Sequence, residues 1–411
     1  MHSFRFRLRK LSVWVAVFVQ LLVITYYFSI KKDQVVPVQD TVTFIRFKNF
    51  TWTTNVTYHT KYSSIALKRV PTRLGYTDFN TSLCYTNGTD VKEMRRSNDV
   101  NWKCLCLPGW HGTDCGQPEV IWRGLLAYRK ALSIKGPRKH ARRVIYVCET
   151  NEYTEILTEI RVNELDDVVD LYVLYEINSN YLEKRLNTKR FLKKQLNKIL
   201  YLNINDKNNL WKIIKKLITN IDEDDIILTS GINEIPNKLG IGYFKFYNDW
   251  PEPINFRLKY SVYGFFWTHP SKTIVTGGAS TVRYLNEVLN DDLIYLNSNK
   301  TLSNLSNKNF IIGDLNHYGG WFCEYCTDPL LIINYLKAKV NDTISWDKVH
   351  VIDNNYIENL IENGVYIDGK TNLNRAHRNR ENYFAPEFAI ENSWKFDFLL
   401  VNMFSKIDYY E

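Results

Sequence analysis

Hydrophobic and polar positions change their spacing several times along the chain. Residues 11–30 form a nearly uncharged apolar run, about 30 Å long as a helix, which matches the hydrocarbon thickness of a bilayer. From Arg142 onward the pattern alternates. RRVIYVCE is a run of strand formers, Ile156, Leu157 and Ile160 recur at helical spacing, and DVVDLYVLYEIN is again strand-like. This order predicts a β-α-β start and a Rossmann-like α/β domain.

The later part of the chain continues the alternation. Within residues 183–220, RFLKKQLNKIL and LWKIIKKLI have helical spacing, and their lysines either form a solvated helix face, which we favour, or flank a phosphate. DDIILTS is a further buried strand, and residues 246–270 are rich in aromatics and predict paired strands. NNYIENLIENG predicts a helix that ends at Gly364 and is followed by a strand.

The apolar run at 11–30 is predicted to be an uncleaved membrane anchor. Basic residues favour its N-terminal side, because Arg5, Arg7, Arg9 and Lys10 precede it, whereas Lys31 and Lys32 follow beside Asp33. This bias places the N-terminus in the cytoplasm and the rest of the chain in the lumen. A cleaved signal peptide is the alternative, but the bulky TYYFSIKKD that follows lacks a small-x-small cleavage site.

Composition and sequons agree with a lumenal folded domain. With 411 residues, 45% hydrophobic and 14% aromatic, the chain can fill a sizeable core, so disorder is not expected. The net charge of +9 would suggest nucleic acid as a partner, but the anchor argues against it. Glycosylation sequons begin at Asn49, Asn55, Asn80, Asn87, Asn299, Asn304 and Asn341.

These patterns predict six consecutive regions. They are a cytoplasmic tail (1–10), the anchor (11–30), a stem (31–83), an EGF-like cysteine module (84–116), a linker (117–140) and an α/β domain (141–411). The stem is polar and rich in threonine, and a small β-domain is its alternative interpretation.

The cysteines are expected to form disulfides. CLCLPGWHGTDCG resembles the last half of an EGF-like module, and its spacing lacks the paired C-x2-C or His ligands of a zinc site. Three connectivities are open, and we prefer Cys84–Cys104 with Cys106–Cys115. Cys323 and Cys326 are expected to form a local structural disulfide rather than a redox pair. Cys148, on a buried strand, should be a free thiol.

The common catalytic motifs are absent from the sequence. There is no Walker A motif, H-E-x-x-H, G-x-S-x-G or well-placed G-x-G-x-x-G. The remaining candidate is Glu234, a carboxylate just after the buried strand DDIILTS. An open parallel sheet binds ligands beyond the carboxyl ends of its strands, so residues 230–236 are expected at the ligand edge.

Seven stretches in a fixed order give a specific resemblance. CLCLPGWHGTDCG, RRVIYVCETNEY, IRVNELDDVVDLYVLYEIN, DDIILTSGINEIP, YSVYGFFW, GGWFCEYC and FAPEF are similar to the β-1,4-mannosyl-glycoprotein 4-β-N-acetylglucosaminyltransferase family over roughly residues 100–390. The resemblance implies a GT-A type domain in a type II Golgi membrane protein. It also implies transfer of N-acetylglucosamine from UDP-GlcNAc, with inversion and with Mn²⁺, to the core β-mannose of N-glycans on glycoproteins.

The loop after the strand departs from this family. Where the family has DDADEIP, this chain has SGINEIP, so Ser230, Gly231 and Asn233 replace aspartates and Glu234 remains. We interpret the loop as a depleted metal site in which Glu234 and Asn233 are the candidate ligands and any catalysis depends on Glu234. A purely capping role for Glu234 is the alternative. Asp224 and Asp225, at the other end of the strand, are expected to be structural.

Further site residues are matched to the family pattern. Arg161 and Glu176 are candidates for donor contact, with a buried ion pair as the alternative for Arg161. His317 is a candidate base or sugar contact, and Trp267 and Trp321 are candidates for stacking on sugar faces. Structural roles are the alternatives for all three.

Three other functions remain open on the sequence. A family member that has lost catalysis would be a membrane-tethered glycan- or partner-binding protein. A tethered EGF-like adhesion protein is disfavoured by the long α/β pattern. A glycosidase would need two opposed carboxylates, and the sequence offers no convincing pair.

Overall fold

The computed structural model describes eight segments of the chain. They are residues 18–26, 57–96, 103–128, 132–188, 191–297, 310–340, 352–378 and 380–405. Two compact units are distinguished, Met1–Asn55 and Val56–Glu411, and the fold described below is that of the second. Residues 18–26 are helical, and the rest of the predicted anchor lies outside the described residues. Among the segments described, no helix combines the length and apolar character needed to cross a membrane.

Strands and helices alternate through the second unit. The strands are β1 (Tyr76–Asp78), β2 (Leu83–Tyr85), β3 (Trp110–His111), β4 (Gln117–Pro118), β5 (Val144–Glu149), β6 (Leu171–Ile177), β7 (Ile199–Ile204), β8 (Ile226–Ser230), β9 (Glu234–Pro236), β10 (Ile254–Val262), β11 (Gly264–Thr268), β12 (Ile274–Thr281), β13 (Phe310–Ile312), β14 (Gly320–Glu324) and β15 (Asn374–Arg375). The helices are α1 (Val91–Arg96), α2 (Glu119–Ala127), α3 (Glu155–Glu164), α4 (Tyr181–Leu186), α5 (Leu210–Leu217), α6 (Lys238–Phe246), α7 (Val282–Glu287), α8 (Leu293–Asn297), α9 (Pro329–Val340), α10 (Asn354–Asn363), α11 (Glu387–Glu391) and α12 (Ser393–Leu400).

One large mixed sheet organises the unit. Its strand order is β15-β11-β10-β12-β8-β5-β6-β7, with β13 and β14 paired to β10 and β9 paired to β14. Strands β8, β5, β6 and β7 are parallel, so their carboxyl ends meet at one edge. β12 is antiparallel to both β8 and β10, which makes β10 and its parallel partner β14 run toward that same edge. The predicted α/β class is confirmed.

Helices cover both faces of the parallel strands. Tyr146 and Cys148 of β5 pack on one face with α3 and α6, whereas Ile145 and Val147 pack on the other with α5 and α7. A strand buried on both faces does not alternate apolar and polar residues, which explains the unbroken apolar run within RRVIYVCE. In α5 the buried side chains are Leu210, Trp211, Ile214 and Leu217, one helical stripe, as predicted.

The predicted helix in RFLKKQLNKIL is wrong. Residues 191–195 form turns, Leu196–Lys198 is a short 3-10 helix, and β7 begins at Ile199. Leu200 and Leu202 are buried with Trp211 of α5 on one face of the sheet. A strand allows this because its alternate side chains share a face, and pairing with β6 provides its backbone hydrogen bonds. The other predicted elements of this region, LWKIIKKLI and the paired strands after residue 246, are confirmed as α5 and the β10–β11 hairpin.

Part of the segment predicted as stem lies against the domain. The backbone of His59 exchanges hydrogen bonds with Ile199 and Tyr201 at the edge of β7, with distances of 2.7 and 2.9 Å. Ile65 is 4% exposed and exchanges backbone hydrogen bonds with Leu217 and Thr219. The sheet edge is therefore covered by residues that the sequence pattern placed outside the domain.

The disulfides match the preferred pairing. Cys84–Cys104, Cys106–Cys115 and Cys323–Cys326 are bonded, and Cys148 is a buried free thiol among the residues described. Asp225 pairs with the buried Arg143, and Asp224 pairs with Arg142 at 2.8 Å between Oδ1 and Nε, so both aspartates have the structural role expected of them.

The C-terminal helices are attached to α3 through a buried carboxylate. Glu164 is 4% exposed, and its Oε2 accepts a hydrogen bond of 2.8 Å from the backbone N–H of Phe388 in α11. The Lys238 ammonium lies 3.7 Å from Glu164 Oε1 and also pairs with Glu387. Burial raises the pKa of Glu164 from 4.5 to about 7, because desolvation outweighs the attraction of Lys238.

We predict that stability falls as pH rises through this window. Between pH 4.5 and 7 the folded protein holds a proton on Glu164 that the unfolded chain has lost, which favours folding at the acidic end. The free energy of unfolding should decrease by about 3 kcal/mol across that range from this group alone. The free energy of unfolding, measured by urea denaturation at several pH values, should fall less steeply with rising pH in Glu164→Gln than in the wild type. An unchanged slope would contradict the assignment.

Candidate active site

The loop after β8 is a tight turn closed by its own glutamate. The N–H of Glu234 donates to the carbonyl of Gly231 at 3.3 Å, and the carboxylate of Glu234 folds back to accept from the N–H of Gly231 at 2.6 Å. Glu234 is only 7% exposed. Burial raises the pKa of the Glu234 carboxyl, and the hydrogen bonds from Gly231 and Thr276 oppose that shift. The carboxylate therefore points into the protein and not toward solvent.

Arg161 supports the same loop by donating hydrogen bonds to its backbone. Its side chain extends from α3 and is fully buried, with Nη1 donating to the carbonyls of Gly231 at 2.9 Å and Glu234 at 3.4 Å. Nη2 donates to the hydroxyl of Thr158 at 3.0 Å. The guanidinium thus holds the backbone of residues 231–234 in place. Its hydrogen bonds go to these groups and not to the carboxylates of Glu164 or Glu176.

The side chains of this loop do not fit a divalent cation. Ser230 is buried and its hydroxyl is hydrogen-bonded to that of Tyr146, Gly231 has no side chain, and Glu234 faces inward. Asn233 remains as the partly exposed polar side chain, and a single amide oxygen is a poor ligand set for Mn²⁺. Across the described segments, no group of three or more His, Cys, Asp or Glu side chains is arranged for a metal.

Gly231 lies against the carboxylate of Glu234. A Cβ atom added to Gly231 would lie 2.8 Å from Oε1 and 3.0 Å from Cδ of Glu234. An aspartate there would also place a second negative charge against a buried carboxylate. A side chain at 231 would therefore require the Glu234 carboxylate to shift from its observed position.

We predict that Glu234→Gln acts on stability and not on manganese affinity. The glutamine amide oxygen can still accept from Gly231 N–H, but the negative charge above Arg161 is lost, which should cost about 1–3 kcal/mol in the free energy of unfolding. Manganese binding measured by titration calorimetry should be the same in both proteins. Reduced manganese affinity with unchanged stability would instead restore the metal-ligand role that the sequence suggests.

A cavity opens at the carboxyl edge on the opposite face of the sheet from Arg161. It measures about 170 Å³, and it is lined by Glu149 at the end of β5, Lys207 after β7, and Ser230 and Gly231 at the end of β8. The Lys207 ammonium lies 2.6 Å from Oε2 of Glu149. Side chains of α8, including Asn297, form the other wall. This is the edge at which parallel sheets bind ligands.

Two of the predicted site residues lie away from this cavity. Glu176 is fully buried and accepts hydrogen bonds from Tyr201 at 2.9 Å, the backbone of Leu182 at 3.0 Å and Ser179 at 3.2 Å. It holds the start of α4. His317 lies in the loop before β14, where Nδ1 is 3.2 Å from Oδ1 of Asp314.

Contacts of His317 reach the linker and the cysteine module. Nε2 of His317 is 3.8 Å from Oε1 of Glu119 in α2, and the other oxygen of Glu119 is 2.5 Å from Nε2 of His111. The two histidines therefore share one carboxylate between β3, α2 and the loop before β14. This arrangement joins the module to the domain and does not place His317 beside residues 231–234.

Both candidate tryptophans are packed against the protein. Nε1 of Trp321 donates to the carbonyl of Tyr383 at 3.1 Å, and the residue is 5% exposed. Nε1 of Trp267 donates to the carbonyl of Ile361 at 2.8 Å. Its ring lies against Gly364 and under the guanidinium of Arg375, 5.2 Å from the ring centre. These contacts are those of structural residues packed within the chain.

Glu324 is a carboxylate that the sequence reading missed. It ends β14, and the preceding Cys323 N–H donates to the carbonyl of Asn233 at 2.9 Å, which places the strand end beside the loop. Glu324 is partly exposed, and its Oε2 accepts from the hydroxyls of Tyr260 at 2.5 Å and Tyr366 at 2.8 Å. The spacing GGWFCEYC gives no sign of this, since the placement depends on β14 pairing with β9 and β10.

The chain belongs to a known enzyme family. The α/β domain with a ligand edge and a neighbouring carboxylate is the type of scaffold on which nucleotide-dependent transfer is built. Residues 132–403 match the model of glycosyltransferase family 17, which covers the sheet and both helical layers. This protein is therefore a member of glycosyltransferase family 17.

Curated relatives carry one enzyme name. Beta-1,4-mannosyl-glycoprotein 4-beta-N-acetylglucosaminyltransferase of Homo sapiens is 30% identical over 340 residues, 74% of this chain and 63% of the relative. The protein of the same name from Rattus norvegicus is 30% identical over 336 residues, 73% of this chain and 62% of the relative. The chain thus spans less than two thirds of the length of these relatives.

A solved structure is also similar to part of the chain. The mannosyltransferase PcManGT from Pyrobaculum calidifontis in complex with GDP-Man and Mn²⁺ matches 58% of this chain and 76% of its own. The identity is 11% and the TM-score is 0.32.

Proposed function

We propose that this protein transfers N-acetylglucosamine from UDP-GlcNAc in β-1,4 linkage to the core β-mannose of N-glycans. The observation that carries the proposal is the family match across residues 132–403, together with the name shared by the similar proteins. The cavity beside Gly231 supports a nucleotide-sugar donor, because it lies at the carboxyl edge of the parallel strands of the sheet. The acceptors are glycoproteins that carry N-glycans.

The reaction is a single displacement. The acceptor hydroxyl oxygen forms a bond to the anomeric carbon of the donor while the bond to the UDP oxygen breaks, so the configuration inverts and UDP leaves with the bonding electrons. A carboxylate must take the proton of the acceptor hydroxyl. We assign this role to Glu324, because it is partly exposed beside the 231–234 loop and Glu234 is buried.

Manganese is implied by the family resemblance, but the residues at the loop do not fit it. No step of the proposed reaction is therefore assigned to a bound metal. Arg161 and Glu234 contribute by fixing the loop that borders the donor cavity, and they act through its backbone.

The proposal includes a type II membrane topology in the Golgi. The apolar run at 11–30 would be the anchor, and the domain would face the lumen. Asn80 and Asn87, each the start of a sequon, are exposed, which is consistent with lumenal glycosylation. Endoglycosidase treatment should lower the apparent mass of the expressed protein. The absence of a shift would argue against this topology.

A catalytically impaired binding protein is the second candidate function. The depleted loop, with Gly231 and Asn233 in place of aspartates, is the observation that favours it. Such a protein would bind N-glycans without turnover.

One incubation separates the two. The full chain is incubated with UDP-GlcNAc and an N-glycan acceptor, with and without Mn²⁺, and the products are examined by mass spectrometry and linkage analysis. The enzyme should add one N-acetylhexosamine through a 4-linked mannose. Binding of the glycan without product, in both buffers, would favour the impaired protein and contradict the proposed transfer.

A further inference from the structure

The cavity beside Gly231 and the inward position of Glu234 point to an unusual way of binding the donor. In a transfer from a nucleotide sugar, the negative charge of the diphosphate leaving group must be compensated. The 231–234 loop has no carboxylate directed outward and its ligand set does not fit a divalent cation. Another positive group is therefore needed at this edge.

We propose that Lys207 binds the donor diphosphate directly, in a site that needs no divalent cation at the 231–234 loop. The inference rests on the proposed function and concerns the same cavity. Among the described residues that line the cavity, Lys207 is the basic one. An ammonium group is an effective point-charge ligand for phosphate.

The placement of Lys207 follows from β7. That strand ends at Ile204, level with the carboxyl end of β6, and Lys207 begins the short 3-10 helix Lys207–Asn209 just beyond. The side chain of Asp206 accepts from the N–H of Asn208 and fixes this turn. The Lys207 side chain is 38% exposed, so a ligand in the cavity can reach its ammonium.

Arg161 cannot replace Lys207 in this role. Successive side chains of β5 point to opposite faces, with Tyr146 and Cys148 toward the side of α3 and Val147 and Glu149 toward the cavity. Arg161 extends from α3 and directs its N–H groups at the carbonyls of Gly231 and Glu234. Its charge supports the loop from the opposite face.

Glu149 is the ion-pair partner of the Lys207 ammonium. The Glu149 side chain is 25% exposed and its carboxylate pairs with Lys207 at 2.6 Å, so the cavity carries one compensated positive charge. An incoming diphosphate would exchange this single carboxylate for two charged phosphate groups. Glu149 is then the carboxylate that the diphosphate replaces as the partner of Lys207.

Titration calorimetry with UDP tests the proposal on the full chain. UDP should bind with similar affinity in buffer with EDTA and in buffer with MnCl₂. Lys207→Met should weaken UDP binding about 10- to 100-fold in both buffers, the loss expected for one charge-assisted hydrogen bond. Lys207→Arg, which keeps the charge, should recover part of the affinity.

Lys215→Met provides a matched control. Lys215 pairs with Asp291 at 3.0 Å, its side chain is 32% exposed, and it lies in α5 without lining the cavity. Its substitution should leave UDP binding unchanged, and the thermal midpoints of both methionine variants should stay near that of the wild type.

Three outcomes would overturn the proposal. UDP binding that EDTA abolishes and manganese restores would refute the metal-independent site and leave the proposed function intact. Undiminished binding by Lys207→Met would refute the role of this lysine. No UDP binding by the wild type in either buffer would refute the proposed donor and this inference together.

Discussion

Glu324→Gln is expected to lower turnover by about 10²- to 10⁴-fold while the KM for UDP-GlcNAc stays close to the wild-type value. Glutamine retains an oxygen that can accept from the hydroxyls of Tyr260 and Tyr366, so the local fold should persist. What it loses is the ability to take a proton from the acceptor hydroxyl. Initial rates at varied donor and acceptor concentrations measure both parameters.

Tyr366→Phe is the matched control for this variant. It removes one hydrogen bond of 2.8 Å from the Glu324 carboxylate but leaves the carboxylate itself in place. Turnover should change little if Glu324 is the base. If both variants lose turnover equally, the loss does not report on the proton-accepting role of Glu324. If Glu324→Gln raises the KM for the acceptor with an unchanged kcat, Glu324 binds the acceptor and another group takes the proton.

The sequence predicted the framework of this site better than its chemistry. The buried strands β5, β6 and β8 were visible as runs of apolar residues, and their parallel order fixed which edge binds ligands. The position of Glu234 after β8 followed from that order. Its inward orientation did not, because it depends on the fold of a four-residue turn and on Arg161 beneath it.

Long-range register explains why Lys207 and Glu324 were missed as individual residues. Lys207 stood among many lysines in 183–220, and only the course of β7, whose first two residues fall in the segment predicted as helix, places it beside Glu149. Glu324 reaches the loop because β14 pairs in parallel with β10 and antiparallel with β9. Neither pairing leaves a periodic signal near the residue itself.

His317 illustrates the same difficulty from the other side. A histidine beside two glycines and a tryptophan is a natural candidate for catalysis when only the sequence is read. Its partner Glu119 lies in the linker helix α2, and His111 of the cysteine module shares that carboxylate. The role of His317 depends on packing between the α/β domain and the preceding cysteine module and linker. The spacing of residues around His317 in the sequence contains no information about that packing.

Arg161→Met is expected to be the most destabilising single change considered for this protein. The guanidinium is fully buried and donates to the carbonyls of Gly231 and Glu234 and to Thr158. Removing it would take a charged donor away from these acceptors and leave the buried Glu234 carboxylate without the attraction of the Arg161 guanidinium. The loss of one partner from a buried charged group costs about 3–5 kcal/mol in the free energy of unfolding.

Urea unfolding of two further variants makes this prediction specific. Arg69→Met removes an exposed ion pair between Arg69 and Asp222, in which the two side chains are 55% and 37% exposed. This change should lower the free energy of unfolding by no more than about 1 kcal/mol. The double variant Arg161→Met with Glu234→Gln should be less destabilised than the sum of the two single changes, because the second substitution removes the charge that the first leaves uncompensated. Strict additivity would mean that Arg161 supports the loop only through its backbone carbonyls, with no contribution from the charge of Glu234.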